Sequence, residues 1–250
     1  MARWAAAHPS RIPGSNEVHV WSAELDIPAP QLHVLEHYLS LDELQRADRL
    51  VAARDRSRFI TSHGILRAVL AGYLGCAPSA LRFRRDTFGK PSLVRDGSEP
   101  TIRFNFSHSQ SLALCAVALG REVGVDIERI ESSESLDEMA ARYFSAREVA
   151  ALRSLHPAAR REAFYACWSR KEAYIKGRGP GLSMRLDSFD VSLLPGEPAA
   201  LLDDRSAPPE HSGWKLFALD PASDYAAALA VEGKGDDIQV SCHSWAGVRT

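Results

Sequence analysis

Cysteine is scarce in this chain and forms no motif. Four cysteines occur among 250 residues, and no two of them have the C-x-x-C spacing of zinc sites and redox motifs. Cys115 and Cys167 lie inside apolar stretches, which is typical of reduced thiols buried in a core. We therefore expect neither a zinc site nor a disulfide framework.

Long hydrophobic runs and a charge excess of one sign are also missing. The longest apolar run, Leu112 to Leu119, is far shorter than the ~20 residues of a membrane-spanning helix. The N-terminus lacks the sustained apolar segment of a secretory leader. The net charge of −2 does not favour a general nucleic-acid binder. These properties predict a cytoplasmic protein that binds neither membrane nor nucleic acid.

Hydrophobic periodicity predicts helices and strands in both halves of the chain. The first half is expected to contain a strand at 19–26, helices at 31–39, from Ser40 and at 55–74, and strands at 102–106 and 112–119 joined by a turn at 107–109. The pattern begins again after Gly120, with a strand at 123–128, helices near 136–143, at 145–155 and at 158–176, and a strand-rich tail.

A faint internal repeat accompanies this order. At an offset of 105 positions the sequence pairs three residues of the first half with identical residues of the second: Phe59 with Phe164, Ala68 with Ala173, and Gly72 with Gly177. Together with the recurring order of elements, the repeat predicts an α+β fold made of two similar halves, residues 1–120 and 121–250.

The segment Val123-Gly-Val-Asp-Ile-Glu128 carries the clearest chemical signal. Because side chains alternate along a strand, Gly124, Asp126 and Glu128 share one face. Two residues span roughly 7 Å of strand, so both carboxylates could hold one cation, and Gly124 would leave room for a ligand. Carboxylate oxygens favour Mg²⁺ or Mn²⁺. The alternative is an edge strand with two solvated acids.

A second signal lies on the helix that ends near residue 176. Trp168, Glu172 and Lys176 are four positions apart and share one helix face. Glu172 could be a third metal ligand or a general base, and Lys171 and Lys176 could hold phosphate oxygens. The alternative for Glu172 and Lys176 is an ordinary surface ion pair.

Two turns complete the set of candidates. Ser107-His108 offers a hydroxyl and an imidazole between two apolar strands, with a polar turn cap as the alternative. Phe88-Gly-Lys-Pro91 presents Lys90 from a rigid turn, a shape suited to binding an anion.

These segments together resemble the signature of 4′-phosphopantetheinyl transferases. Val-Gly-Val-Asp-Ile-Glu followed by Trp-Ser-Arg-Lys-Glu-Ala-Tyr-Ile-Lys is similar to the motifs of the whole family. Phe-Gly-Lys-Pro and Phe-Asn-Phe-Ser-His-Ser resemble the additional motifs of its surfactin-type branch, whose members are two-half monomers. The resemblance covers residues from about Arg46 to Leu186.

The resemblance implies a fold, a reaction and partners. The active site would lie between the halves, with coenzyme A phosphates bound by the first half and the metal, the base and the carrier protein by the second. The enzyme would transfer phosphopantetheine from coenzyme A to an apo acyl or peptidyl carrier protein, with Mg²⁺ or Mn²⁺, releasing adenosine 3′,5′-bisphosphate. Alanine- and arginine-rich composition hints at a bacterium with secondary metabolism.

The resemblance also implies roles for single residues. Those matched to the family's functional positions are the metal ligands Asp126, Glu128 and Glu172, with Glu172 also as the base; the catalytic partners Lys176 and His108; and the coenzyme A contacts Arg46, Arg58, Lys90, Ser107, His108, Lys171 and Lys176. The chain departs from the best-known pattern at Glu43 and Phe59, where a lysine and a threonine are expected, so the pattern alone leaves the contacts to the 3′-phosphate open.

Several alternatives stay open. The chain could be a degenerate relative that binds a carrier or coenzyme A without turnover, or a magnesium-dependent phosphohydrolase. His33-Val-Leu-Glu-His37 matches a short metallopeptidase pattern but has no evident third ligand. Gly177-Arg-Gly-Pro-Gly181 is expected to be a helix stop and not a phosphate loop.

A carrier-docking surface is expected at 139–152, where Arg142 and Arg147 flank Tyr143, Phe144 and Val149. The alternative places Phe144 and Leu152 in the core and leaves the arginines solvated.

Overall fold

The computed structural model describes residues 4–94, 101–132, 135–179, 184–206, 213–233 and 237–248. The elements of the first half are β1 (Ala5–Ala7), β2 (Glu17–Glu24), α1 (Ala29–Glu36), α2 (Leu41–Ala47), α3 (Ala53–Leu74), β3 (Phe83–Arg85), β4 (Pro91–Leu93), β5 (Ile102–Ser109) and β6 (Leu112–Leu119). Those that follow are β7 (Val123–Arg129), α4 (Leu136–Tyr143), α5 (Ala146–Ser154), α6 (Pro157–Arg178), β8 (Phe189–Val191), β9 (Leu201–Asp204), β10 (Trp214–Leu219), β11 (Tyr225–Glu232) and β12 (Gln239–Trp245).

The same order of elements occurs twice. A strand, short helices, a 22-residue helix, a short hairpin and an antiparallel pair of strands form each half. Helices α2 and α5 both begin with a reciprocal capping box, Ser40 with Glu43 and Ser145 with Glu148, at the offset of the sequence repeat. The predicted α+β fold of two similar halves is confirmed.

Two sheets pack face to face between the long helices. The first sheet has the strand order β1-β12-β2-β6-β5 and the second has the order β10-β11-β7. Val20 and Leu114 of the first sheet pack with Val125 and Leu229 of the second in one buried cluster. The opposite faces are covered by α3 and α6 respectively. Alternating side chains thus bury both faces of β2 and β7.

The last strand crosses between the halves. β12 pairs in parallel with β2 and with β1 in the first sheet, so the predicted division into 1–120 and 121–250 does not describe this strand. The contacts that place β12 are formed with residues more than 200 positions earlier, and no local pattern encodes them.

The predicted turn at Ser107-His108-Ser109 is wrong. β5 continues through these residues and stays paired with β6 to the last position, Ser109 opposite Leu112. The hairpin closes through Gln110 and Ser111, and Gln110 adopts a positive φ of 52°, as tight hairpin loops require. Ser107 and His108 therefore point to opposite faces of a strand.

Within the described ranges, no helix combines the length and apolar character needed to cross a membrane.

Candidate active site

Strands β5 and β7 meet at the junction of the halves and are joined by side chains. Ser107 Oγ donates to Asp126 Oδ1 over 2.9 Å, and Ser109 Oγ donates to Glu128 Oε2 over 3.2 Å. Asn105 Oδ1 accepts from the backbone N–H of Val125 over 2.9 Å. Three alternate residues of β5 thus form hydrogen bonds to β7, the strand that carries Asp126 and Glu128.

Sequence reasoning missed Asn105 and Ser109. Ser109 lay in the predicted turn at 107–109, whereas Asn105 lay in the predicted strand at 102–106 and was not chosen as a site residue. Asn105, Ser107 and Ser109 occupy alternate positions, and such polar alternation between apolar residues is the signal of a strand with one polar face. Reading the strand to its observed end would have found them.

Gly124 sets how closely β7 approaches α6. A Cβ atom at this position would lie 2.0 Å from the carbonyl oxygen of Ala173 and 2.2 Å from the backbone nitrogen of Gly177, so any side chain would force the two elements apart. The room that the sequence analysis assigned to a ligand is filled by the helix. The close approach brings Lys176 onto the same side as Asp126.

Three carboxyl groups and one ammonium group meet here. Lys176 Nζ donates to Asp126 Oδ1 over 2.5 Å and to Ser107 Oγ over 2.9 Å, while Asp126 is 2% exposed. Burial raises the pKa of Asp126 despite the neighbouring lysine. Burial and the charge of Asp126 raise the pKa of Glu128 to about 7 and also raise that of Glu172. The three acids together would therefore carry more negative charge, when ionised, than Lys176 alone neutralises.

The residues fit a divalent cation. Asp126 Oδ2 is buried and has no hydrogen-bond partner among the described residues, although buried carboxylate oxygens normally have one. Among the described residues, no three histidine, cysteine, aspartate or glutamate side chains are grouped so that they could hold a metal ion by themselves. Magnesium is commonly held by one or two carboxylates, with water and substrate phosphates completing its shell, so the free oxygen of Asp126 suits such an ion without a preformed set of three ligands.

His108 and Arg58 lie at the mouth of the site. His108 is exposed, but desolvation by the surrounding protein lowers its pKa, with smaller effects from the charges of Lys176 and Arg58. The imidazole is thus neutral at physiological pH. Arg58 makes a two-pronged ion pair with Asp26, with Nε to Oδ1 at 2.7 Å and Nη2 to Oδ2 at 2.8 Å.

A basic cavity of about 530 Å³ lies beside this mouth, between α2, α3 and β3. Its lining includes four arginines, one histidine and five apolar side chains: Arg46, Arg67, Arg82, Arg85, His63, Leu66, Leu81, Phe83, Pro91 and Phe106. Glu43 also lines the cavity, but its carboxylate is bound to Arg67 Nε over 2.8 Å and caps α2. Phe59 stacks on His63 with 3.9 Å between ring centroids. Both departures from the family pattern thus have structural partners, and the cavity's cations come from other positions.

The structure does not bring Lys171 to the site. Its ammonium is fully buried, 2.8 Å from Glu148 Oε1, and donates to the carbonyl oxygens of Leu186 and Phe189. One step along a helix turns a side chain by about 100°, so Lys171 faces β8 although Glu172 faces the acids. The predicted phosphate contact at Lys171 is corrected accordingly.

The turn predicted at 88–91 is present, and Lys90 Nζ binds Glu122 and the backbone of the second half.

The metallopeptidase-like pattern at His33–His37 and the glycine-rich segment that starts at Gly177 do not form functional sites within the described residues. His33 and His37 lie exposed on and after α1, with their rings in an edge contact, and no third ligand joins them among the described residues. Helix α6 ends at Arg178, and Gly179 caps it with a φ of 86°. Pro180 and Gly181 of the predicted loop lie outside the described residues.

Comparisons with known proteins extend over both halves. A model described as the 4′-phosphopantetheinyl transferase superfamily matches residues 122–230, and one for the N-terminal part of a 4′-phosphopantetheinyl transferase matches 27–119. The transferase HetI of Nostoc sp. is 40% identical over 232 residues, covering 93% of this chain and 94% of its own. Sfp of Bacillus subtilis is 30% identical over 80% of this chain and 86% of its own. A transferase of Bacillus pumilus is 32% identical, with 84% and 87% covered.

Proposed function

Because the chain belongs to the 4′-phosphopantetheinyl transferase superfamily, in its two-half, surfactin-type branch, we propose that it transfers the phosphopantetheine arm of coenzyme A to a serine of an apo acyl or peptidyl carrier protein. The reaction would require Mg²⁺ and release adenosine 3′,5′-bisphosphate. The observation that carries the proposal is the buried Asp126, one oxygen of which has no hydrogen-bond partner in the described part of the chain, beside Glu128, Glu172 and Lys176.

The metal proposal concerns the three acids. Asp126, Glu128 and Glu172 would hold Mg²⁺, or Mn²⁺ in its place. The bound ion would neutralise negative charge on the pyrophosphate and on the leaving bisphosphate. Ser107 and Ser109 support this role because each fixes one carboxylate by a hydrogen bond.

Glu172 is the proposed base. The carrier serine loses its proton to Glu172, directly or through a water, as its oxygen forms a bond to the β-phosphorus of coenzyme A. The bond from that phosphorus to the oxygen of the leaving bisphosphate breaks. In the metal-free site, burial raises the pKa of Glu172, and a more basic carboxylate accepts a proton more readily. Lys176 and the neutral His108 donate hydrogen bonds to the phosphate oxygens.

The basic cavity is the proposed site for the 3′-phosphate end of coenzyme A. Arg46 lines it, whereas the donors of Arg58 are shared with Asp26. Arg46→Ala should therefore raise the KM for coenzyme A about tenfold with little change in kcat, because a distant phosphate contact contributes equally to ground-state and transition-state binding. Steady-state kinetics with coenzyme A and dephospho-coenzyme A would test this.

The variant should lose most of the wild-type preference for the 3′-phosphorylated substrate, and Arg58→Ala should lose less of it. If Arg46→Ala keeps the full preference, the 3′-phosphate binds elsewhere.

The carrier surface is proposed at 139–152. Arg142 and Arg147 are exposed, and Arg142 lies over the ring of Tyr143 at 5.2 Å. Phe144 is 4% exposed and stacks on Phe164, so it belongs to the core and is not an anchor. The proposed surface keeps Tyr143 and Val149, which are half-buried.

Charge reversal should separate this surface from the coenzyme site. Arg142→Glu with Arg147→Glu should raise the KM for the carrier and flatten its salt dependence, because rim charges act mainly on association. The KM for coenzyme A should not change. The control pair Arg161→Glu with Arg185→Glu changes the same charge at exposed positions elsewhere. If the two double variants have the same carrier kinetics at low salt, the carrier docks at another surface.

One experiment separates the proposed activity from its rivals. An apo carrier incubated with the protein, coenzyme A and Mg²⁺ should gain the mass of one phosphopantetheine group. A binding-only relative adds no mass, and a phosphohydrolase consumes coenzyme A without a carrier. We also propose that the protein is a monomer, since one chain supplies both sides of the site. We further propose that it is cytoplasmic and acts in a bacterial pathway of secondary metabolism.

A further inference from the structure

The turn that carries Lys90 is fixed by its own hydrogen bonds. Asp86 Oδ1 accepts from the backbone N–H groups of Phe88 and Lys90, both over 2.9 Å. Gly89 has a φ of 87°, a conformation that residues with a side chain rarely adopt. The base of the Lys90 side chain is therefore held in one place by the first half of the molecule.

The other end of Lys90 is bound by the second half. Its Nζ lies 2.9 Å from Glu122 Oε2, 2.9 Å from the carbonyl oxygen of Gly177 and 3.4 Å from that of Val123. A lysine ammonium has three N–H donors, so all three are engaged, and its side chain is only 15% exposed. No donor remains for a phosphate unless these contacts are broken.

The two carbonyl groups belong to the segments that form the active site. Val123 precedes Gly124, and Gly177 follows Lys176, so Lys90 binds both sides of the closest approach between β7 and α6. The carbonyl of Gly177 is among the last of α6, where helix carbonyls lack helical partners and a cation is favourable.

We propose that Lys90 is a positioning residue. It clamps the first half to the end of α6 and the start of β7, so that Lys176 meets Asp126, and it does not hold a phosphate of coenzyme A. The kinetic part of this inference rests on the proposed function, whereas the clamp itself can be measured without substrate.

The test is a double-mutant cycle of Lys90→Met and Glu122→Gln. Lys90→Met should lower the melting temperature by about 4 °C and kcat about tenfold, and it should change the KM for coenzyme A less than twofold. The double variant should be no less stable than Lys90→Met alone, because partners in one interaction are not additive. Arg103→Met is the control: Arg103 binds the same carboxylate over 3.2 Å from the first half, and in the described part of the chain it makes no hydrogen bond to the carbonyl groups of Gly177 or Val123.

A tenfold rise in KM for coenzyme A with unchanged kcat and melting temperature would overturn the proposal and make Lys90 a phosphate ligand. The proposal would also be wrong if the decrease in melting temperature of the double variant equals the sum of the decreases caused by Lys90→Met and Glu122→Gln. If Lys90→Met folds poorly, Lys90→Arg gives the same decision, since arginine can replace a phosphate-binding lysine but does not fit the buried clamp unchanged. Failure of the wild type to modify any carrier would refute the proposed function and leave the melting cycle interpretable.

Discussion

Asp126→Ala and Glu172→Ala are each expected to lower kcat at least about a hundredfold while the protein stays folded. Both acids are proposed to act where charge develops in the transition state, and losing such a group typically costs about a hundred- to a thousandfold. Asp126 is buried with a raised pKa, so its ionised form is costly to bury and its removal should not destabilise the fold. Single-turnover transfer assays and thermal unfolding measure the two effects.

The control is Asp137→Ala, which removes an exposed acid of α4 from the same half. Its kcat should equal that of the wild type. If Asp126→Ala turns over near the wild-type rate in saturating Mg²⁺, the assignment of Asp126 as a metal ligand is wrong.

Lys171→Ala should lower the free energy of unfolding by about 3–5 kcal/mol, because removing one member of a buried ion pair leaves the other charge uncompensated. The charge left behind is Glu148, which is 2% exposed and also accepts from the backbone of Val191. The carbonyl groups of Leu186 and Phe189 lose their donor as well. Urea unfolding gives the measurement.

Arg161→Ala, an exposed cation on the same helix, should change stability by less than about 0.5 kcal/mol. Combining Lys171→Met with Glu148→Gln should recover part of the loss, because neither charge then remains buried. If Lys171→Ala is as stable as the wild type but has a raised KM for coenzyme A, the buried pair is not its role and the original phosphate assignment returns.

The first half contains a counterpart of this buried pair. Glu43 caps α2 and binds Arg67 of α3, as Glu148 caps α5 and binds Lys171 of α6. In each half the capping glutamate of a short helix thus anchors the long helix. The capping boxes were visible in the sequence, but their buried partners were not, because the pairing depends on how the helices pack.

Local patterns predicted the parts of the site that depend on one element. The alternation in β7 placed Asp126 and Glu128 on one face, and the four-residue spacing in α6 aligned Glu172 with Lys176. The structure brings Lys176 to Asp126 as a direct contact. These relations follow from the geometry of a single strand or helix, so the sequence was sufficient.

Relations between elements were beyond the sequence patterns. Which neighbour fills the space at Gly124, and which carbonyl groups surround Lys171 and Lys90, depends on contacts between distant segments. The turn predicted at Ser107 failed for the same reason, since only pairing with β6 extends the strand through it. The sequence therefore identified the residues of the site more readily than it identified the groups that those residues contact.

The position of β12 has a consequence for the order of events during synthesis. Because residues 239–245 lie between β1 and β2, the first sheet lacks an inner strand while the ribosome is still making the second half. At about 5–20 residues per second, this gap lasts for several seconds, and β2 presents an unpaired edge to other nascent chains or chaperones throughout.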